Sequence, residues 1–146
     1  MASELIVQTL KGPTGGANAN TVLMGSGQSL YAPGHVIQVV NAVVSTTVST
    51  SSSSYVSTGL SASITPTSTS SKILIVGTTT LRMPTGANNY QHTIYRGAVN
   101  LAPNATRGFI QVRDAGGSAS DGTFPAVYLD SPSTTSATTY TWYHKS

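Results

Sequence analysis

The chain has 146 residues, the length of one ordinary domain, and 38% of them are hydrophobic, enough for a single core. Only 8% are charged, against about 25% in typical soluble domains, and the net charge of +3 comes from seven bases and four acids scattered along the sequence. A nucleic-acid surface needs clustered cations, a disulfide framework or thiolate metal site needs Cys, and a helical membrane span needs about 18 consecutive apolar residues; the chain has none of these, so no nucleic-acid or membrane partner is expected.

The N-terminus, MASELIVQTLKG, lacks the basic stretch and long apolar run of a secretory signal, so the chain is expected to stay in the cytoplasm of the cell that makes it unless it leaves by another route. Residues 1–33 hold two short apolar pieces, LIVQTL and TVLMGSGQSL, separated by the Gly- and Asn-rich KGPTGGANAN. That is too little to build a core. The segment reads as an extended arm, either disordered or ordered by packing against another chain, and the apolar LIVQTL favours the second. Leu5, Ile6, Val7 and Leu10 are its candidate attachment residues.

From residue 34 onward, helix-period patterning is absent and β-branched residues abound, which predicts strands. VIQVVNAVV, residues 36–44, reads as a strand apolar on both faces. In YVSTGLSASIT, residues 55–65, Val56, Thr58, Leu60, Ala62 and Ile64 alternate with Ser and Gly, the period of a strand with one buried face. Pro66 ends it. KILIVGTTTL, residues 72–81, is the most apolar run and reads as a central strand. Residues 90–101 form a further strand with a turn at Arg96-Gly97, followed by strands over 108–113, 124–129 and 137–144, with loops over 84–89, 114–122 and 130–136. The core is expected from Val36, Ile37, Val39, Val40, Leu60, Ile64, Ile73, Leu74, Ile75 and Val76. Short strands at regular spacing predict an all-β chain: an antiparallel β-sandwich, jelly-roll-like, over residues 34–146, preceded by the extended N-terminal arm.

Chemistry-bearing residues are few. Asp114 and Asp121 flank one loop and could approach as a carboxylate pair, but Asp in a Gly/Ser loop is ordinarily a solvated turn residue. His35, His92 and His144 fall on separate predicted strands without metal-ligand spacing and read as solvated or hydrogen-bonding side chains. The Gly-rich KGPTGG and GSG match no phosphate-binding pattern. Asn104-Ala105-Thr106 fits a glycosylation sequon only in a secretory setting. No catalytic, cofactor-binding or metal residue is assigned, and no enzymatic activity is expected. Tyr140, Trp142 and His144 share one face of the last strand, with Tyr143 on the other. Tyr140 and Trp142 are core if buried, and glycan or interface aromatics if exposed.

Specific strings add a resemblance. GHVIQVVNAVVST, SYVSTGLSASITPTSTSSKILI, YRGAVNL and LDSPSTTSATTYT resemble a recurrent β-domain of tail-fibre-like and virion structural proteins of tailed bacteriophages, notably of marine phages and cyanophages. LKGPTGGANANTVLMGSGQSL resembles the repeat-like stub that precedes it, with Met24-Gly25 in place of the usual apolar-Pro. Many relatives continue past TWYHKS with another loop and strand, so the last sheet is expected to be shortened or completed by a neighbouring subunit. The resemblance implies a homotrimer in the virion, assembled in the host cytoplasm, attached to the major capsid protein or to a tail component as a small fibre, knob or decoration. The alternative it carries is a receptor-binding module that adheres to host surface glycan through loops 84–89 and 114–122 and Trp142. It brings no catalytic residues.

Overall fold

The computed structural model describes residues 35–83, 89–113 and 120–146, together with Thr14 and Gly16. The chain divides into two units, Met1–Val39 and Val40–Ser146. Every strand among the described residues belongs to the second: β1 (Val56–Ile64), β2 (Ile73–Met83), β3 (Tyr90–Arg96), β4 (Val99–Asn100), β5 (Ile110–Val112), β6 (Ser120–Asp130) and β7 (Thr138–Lys145). The expected arm, residues 1–33, lies outside the described residues except at Thr14 and Gly16.

The chain is all-β, with no helix among the described residues and every strand pair antiparallel. One sheet has the order β1-β7-β3, and the far edge of β3 is shared by β4 at one end and β5 at the other. The other sheet is the two-stranded ribbon β2–β6, paired continuously from Ile73↔Asp130 to Met83↔Ser120.

The Ser/Thr-rich stretch 51–71 is structure, not linker. In β1 the alternation expected from the sequence holds at every position: Val56, Thr58, Leu60, Ala62 and Ile64 are half-buried and the Ser and Gly between them are exposed. Gly59, at φ +79°, sits where the register against β7 shifts between Ser57 and Ser61, a bulge whose left-handed backbone suits a residue without Cβ. Ser68–Ser71 then closes a turn through the Ser71 N–H to the Ser68 carbonyl, at 3.0 Å.

The two sheets present their inward faces to one apolar cluster. Ile94 from β3, Tyr140 and Trp142 from β7, Ala126 from β6 and Leu101 are buried in it, with Leu60, Ile64, Ile73 and Ile75 packed alongside. Its centre is Trp142. On β2 and β6 the positions beneath the indole are the directly paired Gly77 and Ala126. A Cβ on Gly77 would stand 2.4 Å from the indole ring, so the smallest side chains of the ribbon make the hollow that the largest one fills. A second, smaller cluster of Leu81, Met83 and Tyr90, with Val112 and Phe124, closes the far end. A polar clasp joins the sheets at the near end. Asp130 of β6 is buried and accepts from the Tyr140 hydroxyl at 2.6 Å and from Arg96 Nη1 at 2.8 Å through each carboxylate oxygen.

Several expectations are corrected. Residues 36–44 form no strand, and Val36, Ile37, Val39 and Val40, expected in the core, are 40–83% exposed. Their run is apolar on both faces, the pattern of a strand covered on both sides, yet no described strand pairs with it. Leu74 and Val76 are also expected core residues, but they lie on the outward face of β2 at 63% and 68% exposure while Ile73 and Ile75 point inward. The run is uniformly apolar because the ribbon is apolar on both faces over residues 73–76, and among the described residues only one of those faces is packed. Leu60, Ile64, Ile73 and Ile75 do join the core. The strand expected over 124–129 is longer, starting at Ser120, so Asp121 and Gly122 belong to β6 rather than to a loop.

The Gly77 hollow makes a prediction. Gly77→Val should lower the free energy of unfolding by about 1–3 kcal/mol through overpacking against Trp142, whereas Thr78→Val, its outward neighbour, should change it by less than about 0.5 kcal/mol. Urea titrations of the two variants read the difference, and equal midpoints would refute the packing described.

Candidate functional site

The inward face of β3 and β7 carries a polar layer between the two apolar clusters. His92 and His144 are a directly paired cross-strand couple, each 2% exposed, with ring centroids 5.7 Å apart. Trp142 Nε1–H donates to His92 Nδ1 at 2.9 Å. His92 Nδ1 therefore carries no proton, and the neutral ring is the Nε2–H tautomer. The Tyr90 hydroxyl lies 3.0 Å from His144 Nδ1. Nε2 of both rings is buried without a hydrogen-bond partner among the described residues. Burial, and the neighbouring His144, lower the His92 pKa to about 4. Burial alone lowers that of His144. Both rings are thus held neutral at ordinary pH. A tautomer with the proton on Nε2 is no metal ligand through that atom, and no group of three His, Cys, Asp or Glu among the described residues is placed to hold a metal ion.

Other sequence candidates are dispersed. Tyr140 and Trp142 are 7% and 6% exposed, so in the folded chain neither offers a ring face to a sugar. Leu5, Ile6, Val7 and Leu10 lie outside the described residues, as do Asp114 and most of loops 84–89 and 114–122. Asp121 stands on the outward face of β6 and faces Arg82 at 3.9 Å, both side chains well exposed, a pair worth little energetically. His35 is exposed. Asn104 is a turn residue whose side-chain oxygen accepts from the N–H groups of Thr106 and Arg107 at 3.0 and 3.1 Å.

What the structure does assemble is a tyrosine platform on the outer face of the larger sheet. Tyr95 of β3 and Tyr143 of β7 lie with ring centroids 4.3 Å apart, and Tyr55, just before β1, meets Tyr95 edge-on at 6.2 Å. Lys145 Nζ sits 4.5 Å over the Tyr55 ring, a cation–π contact. All four side chains are half-buried. The Tyr55 hydroxyl donates to Gln91 Oε1 at 3.2 Å, and burial together with the neighbouring Tyr95 pushes its pKa up to about 12. Gly108 backs the group. Its φ of +71° and its approach to the His92 carbonyl and the Tyr55 hydroxyl, where a Cβ would come within 2.2 and 2.8 Å, admit only glycine.

Sequence reasoning placed Tyr143 opposite Trp142 on β7 but not the platform. The alternation of β7 and β3 does mark Tyr143 and Tyr95 as outward. What it lacks is that β7 pairs with both β1 and β3, which alone brings Tyr55, Tyr95 and Tyr143 together. Such a surface offers apolar ring faces with hydroxyls and one cation at the rim, able to stack on a sugar or fill a protein interface. Compared with known proteins, the chain matches no family model, no curated protein and no solved structure.

The histidine layer sets a pH dependence. The unfolded chain takes up a proton on His92 as pH falls through about 6.5, while the folded chain does so only near 4. The unfolded state binds more protons in that window, so the histidine term is fully present above about pH 6.5 and is lost as pH falls towards about 4. His92→Gln removes that titration. Between pH 7 and 4.5 the wild type should therefore lose more stability than the variant, by about 2 kcal/mol. Parallel pH profiles in urea unfolding would show that His92 titrates normally.

Proposed function

We propose that this chain is a virion structural protein of a tailed bacteriophage: a small trimeric fibre, knob or decoration on the outside of the capsid or tail, attached to the major capsid protein or a tail component. On this reading the two antiparallel sheets form a β-sandwich of jelly-roll type, with residues 1–33 as the attachment arm. One observation carries it. Among the described residues, His92, His144 and Trp142 form one buried group and Arg96, Asp130 and Tyr140 another, both holding the fold together, while the outward positions of β1 carry only Ser and Gly. A charge-poor exterior over a tightly packed interior suits a particle component. The phage-like strings in β1, β2 and β7 agree with it.

A second reading, adhesion to host surface glycan, has its own support in the tyrosine platform, where Tyr55, Tyr95, Tyr143 and Lys145 converge. It moves the expected contact from Trp142 to the opposite face of the sheet.

On the first reading, mass spectrometry of purified particles should detect the chain in many copies, and antibody labelling should decorate the particle surface. Its absence from intact particles of a phage that expresses it would end that reading. On the second, the purified protein should bind host polysaccharide, and Tyr143→Ser together with Tyr95→Ser should weaken binding about tenfold or more, given about 1 kcal/mol for each aromatic contact. No binding by the wild type would leave the structural role alone standing.

A further inference from the structure

A polar row crosses the outer face of the larger sheet beside the tyrosines. The register sets Lys145 of β7 directly opposite Gln91 of β3, and Gln91 directly opposite Gln111 of β5. Alternation turns all three outward, because their neighbours His144, Tyr90, His92, Ile110 and Val112 are the residues that enter the interior. Each amide is already held by one half. Gln91, only 5% exposed, accepts from the Tyr55 hydroxyl through Oε1, and Gln111 Nε2 donates to Asn89 Oδ1 at 3.0 Å. These bonds fix how the amides of Gln91, Gln111 and Asn89 are turned. Gln91 Nε2, Asn89 Nδ2 and Gln111 Oε1 have no side-chain partner among the described residues. An amide fixed in this way still presents a donor or an acceptor in a set direction, and a sugar hydroxyl, being both, pairs with either.

Lys145 adds a charge to the row. It is half-buried over the Tyr55 ring and makes no ion pair among the described residues. The acidic side chains that are described, Asp121 and Asp130, both lie on β6 and face Arg82 and Arg96. The outer face of the larger sheet therefore has a cation and, among the described side chains, no carboxylate to answer it. We infer that this face binds an acidic saccharide, with sugar hydroxyls on the amides, a sugar ring against the tyrosines, and the carboxylate or sulfate of the sugar on Lys145 Nζ. Charge complementarity selects an anion. Oriented amides beside aromatic rings select a sugar over a bare anion, which needs no ring surface, and over an apolar protein surface, which would leave the amides unpaired. The inference rests on the adhesion reading and names its substrate class.

The full chain is titrated with host surface polysaccharide in three forms: native, carboxyl-reduced and desulfated. One of the two treatments should weaken binding about tenfold or more, and the treatment that does so identifies the anionic group. Lys145→Met should weaken binding to the native form about tenfold and leave binding to the neutralised form unchanged, while Lys145→Arg should keep most of the native affinity. Gln111→Leu should weaken binding to both forms alike, since it removes a contact to hydroxyls. Lys72→Met, on the ribbon, should bind as the wild type does. Urea midpoints check that each variant is folded, and the treated polysaccharides test the wild-type chain whatever the variants do. Native binding that survives both treatments, or a Lys145→Met protein that binds the native form as tightly as the wild type, would overturn the inference and leave adhesion standing. No binding of any form by the wild type would end the adhesion reading and the inference with it.

Discussion

The contact on which the rest of the described structure depends is the seating of Trp142 over Gly77. It is a packing constraint, a chemical one and a topological one together. The indole can reach the ribbon only because β2 carries no side chain at that point and β6 carries Ala126 beside it. Its N–H cannot be left unpaired at that depth without a cost of about 1–3 kcal/mol, and His92 supplies the acceptor. His92 in turn is positioned by its pairing with His144 across β3 and β7. One residue thus fixes the separation of the sheets, the tautomer of a histidine and the alignment of the central strand pair.

The polar groups inside the fold follow two different rules. The Arg96–Asp130–Tyr140 clasp is ionic but satisfied: Asp130 receives three short hydrogen bonds from two side chains, and Arg96 remains partly open to water. An arrangement of that kind gives orientation more than net energy, since desolvation offsets much of the attraction. It links the end of β6 to β3 and β7 and so fixes the ribbon's angle at one end. The histidine layer is neutral and incompletely satisfied, with both Nε2 atoms buried and unpartnered among the described residues. It is held by what surrounds it, with the Leu81–Met83–Tyr90 cluster on one side and the Trp142 cluster on the other. The clasp specifies geometry and the layer makes stability sensitive to acid.

Strand identity was legible where the sequence alternates strictly. The positions of β1, and of β7 from Thr138 to His144, could be assigned to faces from their spacing, and the turn at Arg96-Gly97 divides β3 from β4 as its Gly requires. Legibility failed at the uniformly apolar runs. ILIV at residues 73–76 and VIQVVNAVV at 36–44 carry no period, so nothing in them says which residues face inward or whether a partner strand exists. The tyrosine platform was hidden for another reason. Each of its members is visible as an outward residue, but their proximity comes from pairings between β1, β7 and β3, and Tyr55 lies more than eighty residues from Tyr143 along the chain. Spacing encodes faces, and only topology encodes neighbours.

Seen from outside, the described domain has two unlike surfaces. The larger sheet shows half-buried tyrosines with a lysine over one of them, and the ribbon shows a charge-free aliphatic block. These surfaces ask for different contacts. Tyrosine with rim hydroxyls tolerates water and suits a polar, exchangeable ligand, whereas paired Leu and Val gain only when water is excluded and suit a permanent contact. With only four acidic residues in the whole chain, neither surface can rely on networks of ion pairs, and the scarcity of charge that first set this sequence apart leaves shape and apolar contact, joined on the larger sheet by Lys145, as the means by which either could bind.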